Sequence, residues 1–366
     1  MRGVWRLPGP RHFLRRAADD LLDGRSLVML LPGQGEAAGG LREGLTELWH
    51  LEETGAVEVL WAETDRTPER ILAECLGAPP GERLTPVIFA AAAGETPGRV
   101  LWIEGVEASV WPAWRTFLLE FQRAALTVPA YARNRLVVTL EGAAAATAET
   151  PPAEVGLATH RWDDVLDTQD ALLLAAQLLR ERNTLRPALR PLLAAAIAQV
   201  ALFDLDLVDR LAGEPVERIL DPAPVLASLM HERGWQAGQQ PTWADGSGAH
   251  VEGRFRPHAA LDVRGDGVTE RLWRAQVSVV FPAIEEHRQD MVRRLAPHLR
   301  LPFHTEFGRV DNAHDLEIGH LYRQVCIHDL PLPAAERNRL GDFRKARNAL
   351  AHGETLDSTL ILTLIQ

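Results

Sequence analysis

Short apolar runs alternate with amphipathic stretches along the first half of the chain. The runs are rich in Leu and Val, which is typical of strands buried on both faces of a parallel sheet; they are Ser26–Leu31, Val57–Ala62, Val100–Glu104 and Leu136–Leu140. Stretches with helical spacing lie between them, at Leu41–Glu53, Thr67–Leu76 and Ser109–Leu126. The repeated order of strand, helix and strand predicts an α/β domain with a mostly parallel sheet.

The spacing of apolar residues becomes helical throughout the C-terminal part. The predicted helices are Val268–Phe281, Ala283–Leu299, Asp315–Asp329 and Ala334–Ala351. A final apolar segment, Leu356–Ile365, can pack on them. Helices with short connections predict an all-α helical bundle behind the α/β domain.

The middle of the chain is predicted to hold three elements: a last strand at Gly156–Trp162, a helix at Thr168–Glu181 and a buried helix at Leu189–Leu211. Three acids near the end of the buried helix do not share one helical face, so they are interpreted as a solvated turn rather than a metal site; they are Asp204, Asp206 and Asp209.

These patterns divide the chain into four predicted regions. They are an α/β domain at 1–165, a helical middle region at 166–233, a linker or loop region at 234–266, and a helical bundle at 267–366. The third region is placed there because it is rich in Gly, Gln and Asp and has weak periodicity.

Charge and composition limit the partners. The formal net charge is −11, and a protein that coats duplex DNA needs an excess of cations, so no general duplex DNA binding is expected. No apolar run reaches the roughly 20 residues that span a bilayer, so no membrane partner is expected. Cys75 and Cys326 are the only cysteines, too few for a disulfide framework. A cytoplasmic location is predicted.

A glycine-rich segment, Pro32–Gly40, follows the first strand, and Glu104 ends the third. This layout resembles that of P-loop NTPases, in which a loop after the first strand holds phosphate and a later acid organises magnesium. The P-loop motif also needs a lysine and a hydroxyl after its last glycine, but Leu41 stands there and Lys345 is the only lysine of the chain. Arg42 can replace only charge. We therefore expect a degenerate domain with no bound cofactor and no ATP hydrolysis, kept for sensing or docking.

The segment Arg344–Gly353 carries the most specific chemistry. Arg347 can hold a phosphate, His352 can move a proton near neutral pH, and Asn348 lies between them. Arg347 to His352 resembles the R-x4-H motif of HEPN domains, helical bundles that include many metal-independent ribonucleases. The resemblance implies that Arg347 and His352 are catalytic, that Asn348 is the polar residue following the arginine, and that two copies meet in a composite site. It implies an RNA substrate and a homodimer or protein partner.

Two further clusters have open interpretations. The cations around the motif form either a basic site or a set of solvated helix residues; they are Arg337, Arg339, Arg344, Lys345 and Arg347. A group of imidazoles and carboxylates forms either a metal site or a capped helix start; it contains His304, Glu306, Asp311, His314, Asp315, Glu317 and His320. No compact metal motif is present, so no metal is predicted.

Two functions therefore remain open. In the first, the chain is an effector that cuts RNA through its HEPN-like bundle and senses or docks through its NTPase-like domain, a pairing that resembles prokaryotic antiviral defence proteins. In the second, it is a non-catalytic scaffold or adaptor that binds an ATPase or nuclease partner. The position of Arg347 and His352 side chains, in a groove or buried among partners, distinguishes them.

Overall fold

A computed structural model describes residues 4–33, 40–49, 57–75, 77, 85–91, 99–129, 132–152, 156–262, 266–305 and 308–365. Most of the predicted glycine-rich loop, at 34–39, lies outside the described residues. The end of the predicted helix Leu41–Glu53, at 50–53, and Glu306 of the imidazole and carboxylate group lie outside them as well.

The N-terminal part contains a five-stranded sheet. Its strands are β1 (Ser26–Leu31), β2 (Val57–Trp61), β3 (Val100–Glu104), β4 (Arg135–Glu141) and β5 (Leu157–Arg161). All neighbours are parallel, in the order β2-β3-β4-β1-β5. The parallel sheet confirms the α/β prediction. Its physical reason is that runs of buried Leu and Val need a sheet covered on both faces.

Helices follow the strands in alternation, as predicted. Those of the N-terminal part are α1 (Pro8–Leu22), α2 (Leu41–Trp49), α3 (Pro68–Cys75), α4 (Pro86–Ala91), α5 (Trp111–Ala125) and α6 (Gly142–Thr147). The main core lies between the sheet and these helices, where Trp114, Phe117 and Phe121 of α5 are buried against strand residues such as Leu101 and Val138. Helix α1 was not predicted from the sequence.

The remaining helices are α7 (Thr168–Glu181), α8 (Arg190–Ala201), α9 (Leu205–Gly213), α10 (Val216–Leu220), α11 (Ala223–Glu232), α12 (Asp266–Leu295), α13 (Ile318–His328), α14 (Ala334–Ala351) and α15 (Ser358–Leu364). The C-terminal region is helical, as predicted. The prediction that Pro282 separates two helices is wrong, since α12 runs through it. Val280 and Ile284 are buried on either side of the proline, and their packing outweighs the lost backbone bond.

The predicted buried helix Leu189–Leu211 is broken after Ala201, where Leu202 has φ 53°. The interpretation of the following acids as a solvated turn is wrong for Asp204, which is 6% exposed. Its Oδ2 lies 2.8 Å from His258 Nε2. The Nδ1 of this histidine accepts from the Ala260 N–H at 3.0 Å, so Nε2 carries the proton donated to the carboxylate.

The stretch predicted as a linker or loop contains an antiparallel hairpin, β6 (Gly248–Val251) and β7 (Arg254–Pro257). A second short hairpin is formed by β8 (Phe303–Thr305) and β9 (Gly308–Val310).

The chain divides into two compact units. The first contains Met1–Asp170, Leu202–Asp206 and Gly238–Leu261; the second contains Ala171–Ala201, Leu207–Ala237 and Asp262–Gln366. The predicted borders at 165, 233 and 266 concern separately folding domains and stay predictions.

Candidate functional site

A cavity of about 220 Å³ opens at the carboxyl edge of the sheet. It lies over the ends of β1, β3 and β4 and the start of α2; it is lined by Leu31, Gly40, Leu41, Arg42, Glu43, Trp102, Glu104, Thr139 and Glu141. Parallel α/β sheets bind ligands at this edge. The strand order β2-β3-β4-β1-β5 and the acid at the end of β3 fit the predicted P-loop NTPase-like layout of the first unit.

Arg42 is the basic residue in the lining of the cavity, and its guanidinium is already paired with carboxylates. Its Nη1 lies 3.1 Å from Glu104 Oε1, and its Nη2 lies 3.4 Å from Glu43 Oε1. In the predicted P-loop NTPase-like layout, Glu104 would organise magnesium and Arg42 would bind phosphate. In the structure the two side chains bind each other.

Gly33, the first glycine after β1, is bound by the chain itself. The Gly33 N–H donates to the Ala244 carbonyl at 2.9 Å, whereas a P-loop directs such N–H groups at phosphate. A Cβ on Gly33 would lie 3.0 Å from the Cα of Gly142, so the glycine is needed for this close approach. The hairpin segment is anchored at the same edge, where Trp243 Nε1 donates to the Trp162 carbonyl at 2.8 Å.

Two residues of the cavity were missed by sequence reasoning. Glu141 ends β4, and burial together with the charge of Glu104 raises the pKa of its carboxyl. Thr139 is the single polar residue inside β4, which was an available signal, but its hydroxyl donates to the Ile103 carbonyl at 3.1 Å. Carboxylates outnumber cations in the lining, so the cavity disfavours a phosphate.

The motif predicted to carry catalysis lies at the end of α14. The helix buries Leu340, Phe343, Ala346 and Leu350. Its last carbonyls are bound by the N–H groups of Gly353 (to Leu350, 3.2 Å) and Glu354 (to Ala349, 2.9 Å), and Gly353 has φ 81°. This is a Schellman motif, in which Gly353 follows the last turn and ends the helix.

Neighbouring side chains fix this helix end. Trp273 Nε1 donates to the Leu350 carbonyl at 2.8 Å. The buried Gln276 amide binds both the N–H of Leu356 (2.6 Å) and its carbonyl (3.1 Å). The end of α14 is therefore held rigidly against α12.

The three predicted catalytic residues have different surroundings. Arg347 Nη2 lies 2.9 Å from Glu317 Oε2, with the two side chains 37% and 59% exposed. Asn348 and His352 are exposed, and neither side chain has a hydrogen-bond partner within the described part of the chain. They share a helical face at i and i+4, while the arginine is directed to another helix.

Every member of the predicted basic group has a partner in its own unit. The pairs are Arg337 with Asp329, Arg339 with the ring of Phe343, Arg344 with the ring of Tyr322, Lys345 with Asp342, and Arg347 with Glu317. Much of the positive charge is therefore balanced locally.

The imidazole and carboxylate group contains a capped helix start. Glu317 is the N-cap of α13 and accepts from the His320 N–H, while His320 Nδ1 accepts from the Glu317 N–H at 3.2 Å. This capping box accounts for their spacing of three. Asp311 is paired with Arg309 at 2.6 Å. Among the described residues, no group of three or more His, Cys, Asp or Glu side chains is arranged to hold a metal ion.

Comparisons with known proteins give little. No family model matches the chain, and no curated protein matches it. Among the solved structures that match is the Orc1 protein of Aeropyrum pernix in complex with DNA, with TM-score 0.35, 15% identity, and coverage of 98% of this chain and 92% of that chain. A TM-score this low supports no inference about function.

The prediction that the chain has no general duplex DNA binding is corrected: it was based on net charge alone, and the matching Orc1 protein is in complex with DNA. Net charge averages over a whole surface, whereas phosphate contacts are made by a local set of cations. A net charge of −11 therefore excludes no nucleic acid. None of the described helices is long and apolar enough to cross a membrane.

Proposed function

We propose that the second unit is a HEPN-like ribonuclease module that acts without a metal through Arg347, Asn348 and His352. One observation carries the proposal: Asn348 and His352 are exposed on one face of a helix end whose opposite face is buried. A histidine used for packing between helices would be buried and paired, and His352 is exposed. The rigid helix end supports a preorganised site.

The chemistry follows from the residue types. The 2′-hydroxyl oxygen of RNA attacks the adjacent phosphorus, the bond from phosphorus to the 5′-oxygen breaks, and a 2′,3′-cyclic phosphate forms. His352 takes the proton of the 2′-hydroxyl, and the departing 5′-oxygen takes one from water or from a second histidine. Arg347 neutralises the phosphate oxygens, and Asn348 donates its amide N–H to one of them. The HEPN resemblance supplies the second histidine from another copy.

The first unit is proposed to sense or dock a partner in the cytoplasm and not to hydrolyse nucleotides. This is supported by the pairing of Arg42 with Glu104 and of Gly33 with Ala244. Purified protein should show no turnover of ATP or GTP. Magnesium-dependent turnover that Glu104→Ala abolishes would contradict this part.

RNA cleavage tests the central proposal. Wild-type protein should cut single-stranded RNA, and His352→Ala should slow cleavage by about 10²–10⁴-fold without a change in melting temperature. An RNA with one 2′-deoxy position should resist cleavage there. Single-stranded and duplex DNA complete the substrate set, and cutting of DNA would overturn the 2′-hydroxyl mechanism.

A second candidate is a non-catalytic scaffold or adaptor subunit for an ATPase or nuclease partner. It is favoured by one observation, the internal pairing of both Arg42 and Arg347. Under this alternative no RNA is cut in any state, and His352→Ala weakens assembly with the partner instead. Size-exclusion chromatography with light scattering, alone and after co-purification, distinguishes the two.

A further inference from the structure

The pairing of Arg347 with Glu317 joins two helices of the second unit. Arg347 lies near the end of α14, and Glu317 is the N-cap of α13, with 2.9 Å between guanidinium and carboxylate. Carboxylate and phosphate oxygens bind a guanidinium in the same geometry. Through its single contact with Nη2, Glu317 therefore occupies one of the donor positions on Arg347 that a phosphate would take.

The backbone that carries Glu317 is fixed by a second arginine. Arg288 Nη1 donates to the carbonyls of His314 at 2.8 Å and Leu316 at 3.0 Å. Arg288 is itself held by Glu285, with contacts of 2.7 and 2.5 Å. The segment leading to Glu317 is thus fastened to α12, independently of Arg347.

The capping box fixes the Glu317 side chain as well. Its carboxylate accepts from the His320 N–H, so it has a helix to cap whether or not Arg347 is bound. Release of the arginine leaves this cap intact. The ion pair can therefore open without unfolding of α13, and with both side chains more than a third exposed its own strength is small.

We propose that Glu317 masks the phosphate-binding group of the RNA site: RNA phosphate and the Glu317 carboxylate compete for the guanidinium of Arg347. This inference rests on the proposed function, since it names the residue that regulates the same site. Glu317 acts through Arg347 and contacts no substrate. The consequence is a site that binds RNA weakly until a partner, a second copy or a high local RNA concentration displaces the carboxylate.

The test uses full-length protein carrying His352→Ala, so that bound RNA is not cut. Glu317→Gln in this background keeps an oxygen for the helix cap but removes the charge. Glu270→Gln is the matched control, because Glu270 is an exposed carboxylate paired with Arg274 at 2.6 Å and is absent from the motif. Two probes are titrated: a short fluorescein-labelled single-stranded RNA, and inorganic pyrophosphate followed by calorimetry.

Glu317→Gln should tighten RNA binding about two- to fivefold, the range expected for loss of one exposed ion pair. The slope of log affinity against log salt should steepen by up to about 0.7, because the phosphate contact of Arg347 then releases counterions without a freed Glu317 carboxylate taking one up. Addition of Arg347→Ala should remove both effects. Glu270→Gln should change neither.

The outcomes separate the two proposals. If Glu317→Gln binds pyrophosphate more tightly but the wild-type protein cuts no RNA, the masking proposal is supported and the ribonuclease proposal is contradicted. If the wild-type protein cuts RNA but Glu317→Gln and Glu270→Gln bind the two probes with equal affinity, the ribonuclease proposal is supported and the masking proposal is overturned. Weaker binding by Glu317→Gln, or no binding of either probe by any variant, also overturns it.

Discussion

The cavity at the sheet edge and the end of α14 each contain an arginine bound by a glutamate. Arg42 lies 3.1 Å from Glu104, and Arg347 lies 2.9 Å from Glu317. In the cavity the pair has further carboxylates beside it, and one of them, Glu141, has a raised pKa. At the helix end the neighbours of the arginine along the chain include exposed Asn348 and His352.

The difference shows that an ion pair has no fixed functional meaning. Where acids surround it, an incoming phosphate meets repulsion even after the pair opens. Where an exposed amide and imidazole lie on the same helix, an open pair leaves groups that can bind and move protons. This difference supports placing the proposed catalysis at the end of α14 and not in the cavity.

The largest expected effect is at Arg347, the arginine of the motif pair. Arg347→Lys should lower the rate of RNA cleavage about 10- to 100-fold, because lysine keeps the charge but loses the planar fork, and a charge-assisted bond is worth about 1.5–3 kcal/mol. Initial rates on a labelled RNA measure it. The same exchange at Arg274, which pairs with Glu270 on the surface of α12, should leave the rate unchanged. An equal loss in both variants would show that the fork at Arg347 holds no phosphate.

The comparison also requires that Glu317 is held in place from α12. Arg288 has a 16% exposed side chain, and Arg288→Met should lower the free energy of unfolding by about 2 kcal/mol, since carbonyls lose a charged donor. Urea denaturation at neutral pH measures this, with Arg274→Met, expected within about 0.5 kcal/mol of wild type, as control.

Arg288 also lowers the pKa of Glu285 to about 2. A depressed carboxyl pKa adds stability that is present above the ordinary value of 4.5 and is lost as pH falls toward 2. The free energy of unfolding of Arg288→Met should therefore fall less than that of the wild type as pH drops from 4.5 toward 2. Parallel acid profiles would contradict the assignment.

How much of the fold and of the candidate site can be predicted from the sequence depends on how far apart along the chain the interacting residues lie. The strands were predicted nearly to the residue because runs such as Ser26–Leu31 carry their signal locally. The burial of Asp204 depends on His258, 54 positions along the chain, so no local pattern indicates it. The motif was found from spacing alone, but its pairing with Glu317 comes from packing of two helices.

Crowding of acids in the cavity gives a smaller effect with a definite sign. Burial and the charge of Glu104 raise the pKa of Glu141, so the folded state holds its proton more tightly than the unfolded state. The contribution of this group to stability is present below its ordinary pKa and falls as pH rises through the raised value. Glu141→Gln should remove that fall, so its advantage over wild type should grow from acid to neutral pH. A difference that does not change with pH would contradict the crowding.

The smallest expected effect is the difference in coupling energy between the Arg42–Glu104 pair of the cavity and the Arg347–Glu317 pair of the motif. Double-mutant cycles with Arg42→Met and Glu104→Gln, and with Arg347→Met and Glu317→Gln, should give coupling energies of about 0.2–1 kcal/mol. The cavity pair should be the stronger, because its side chains are 35% and 28% exposed against 37% and 59% for the motif pair. In salt of about 1 M, where screening acts within about 3 Å, the motif coupling should vanish while part of the cavity coupling persists. A motif pair that resists salt would mean that Glu317 binds Arg347 too firmly for RNA to displace it.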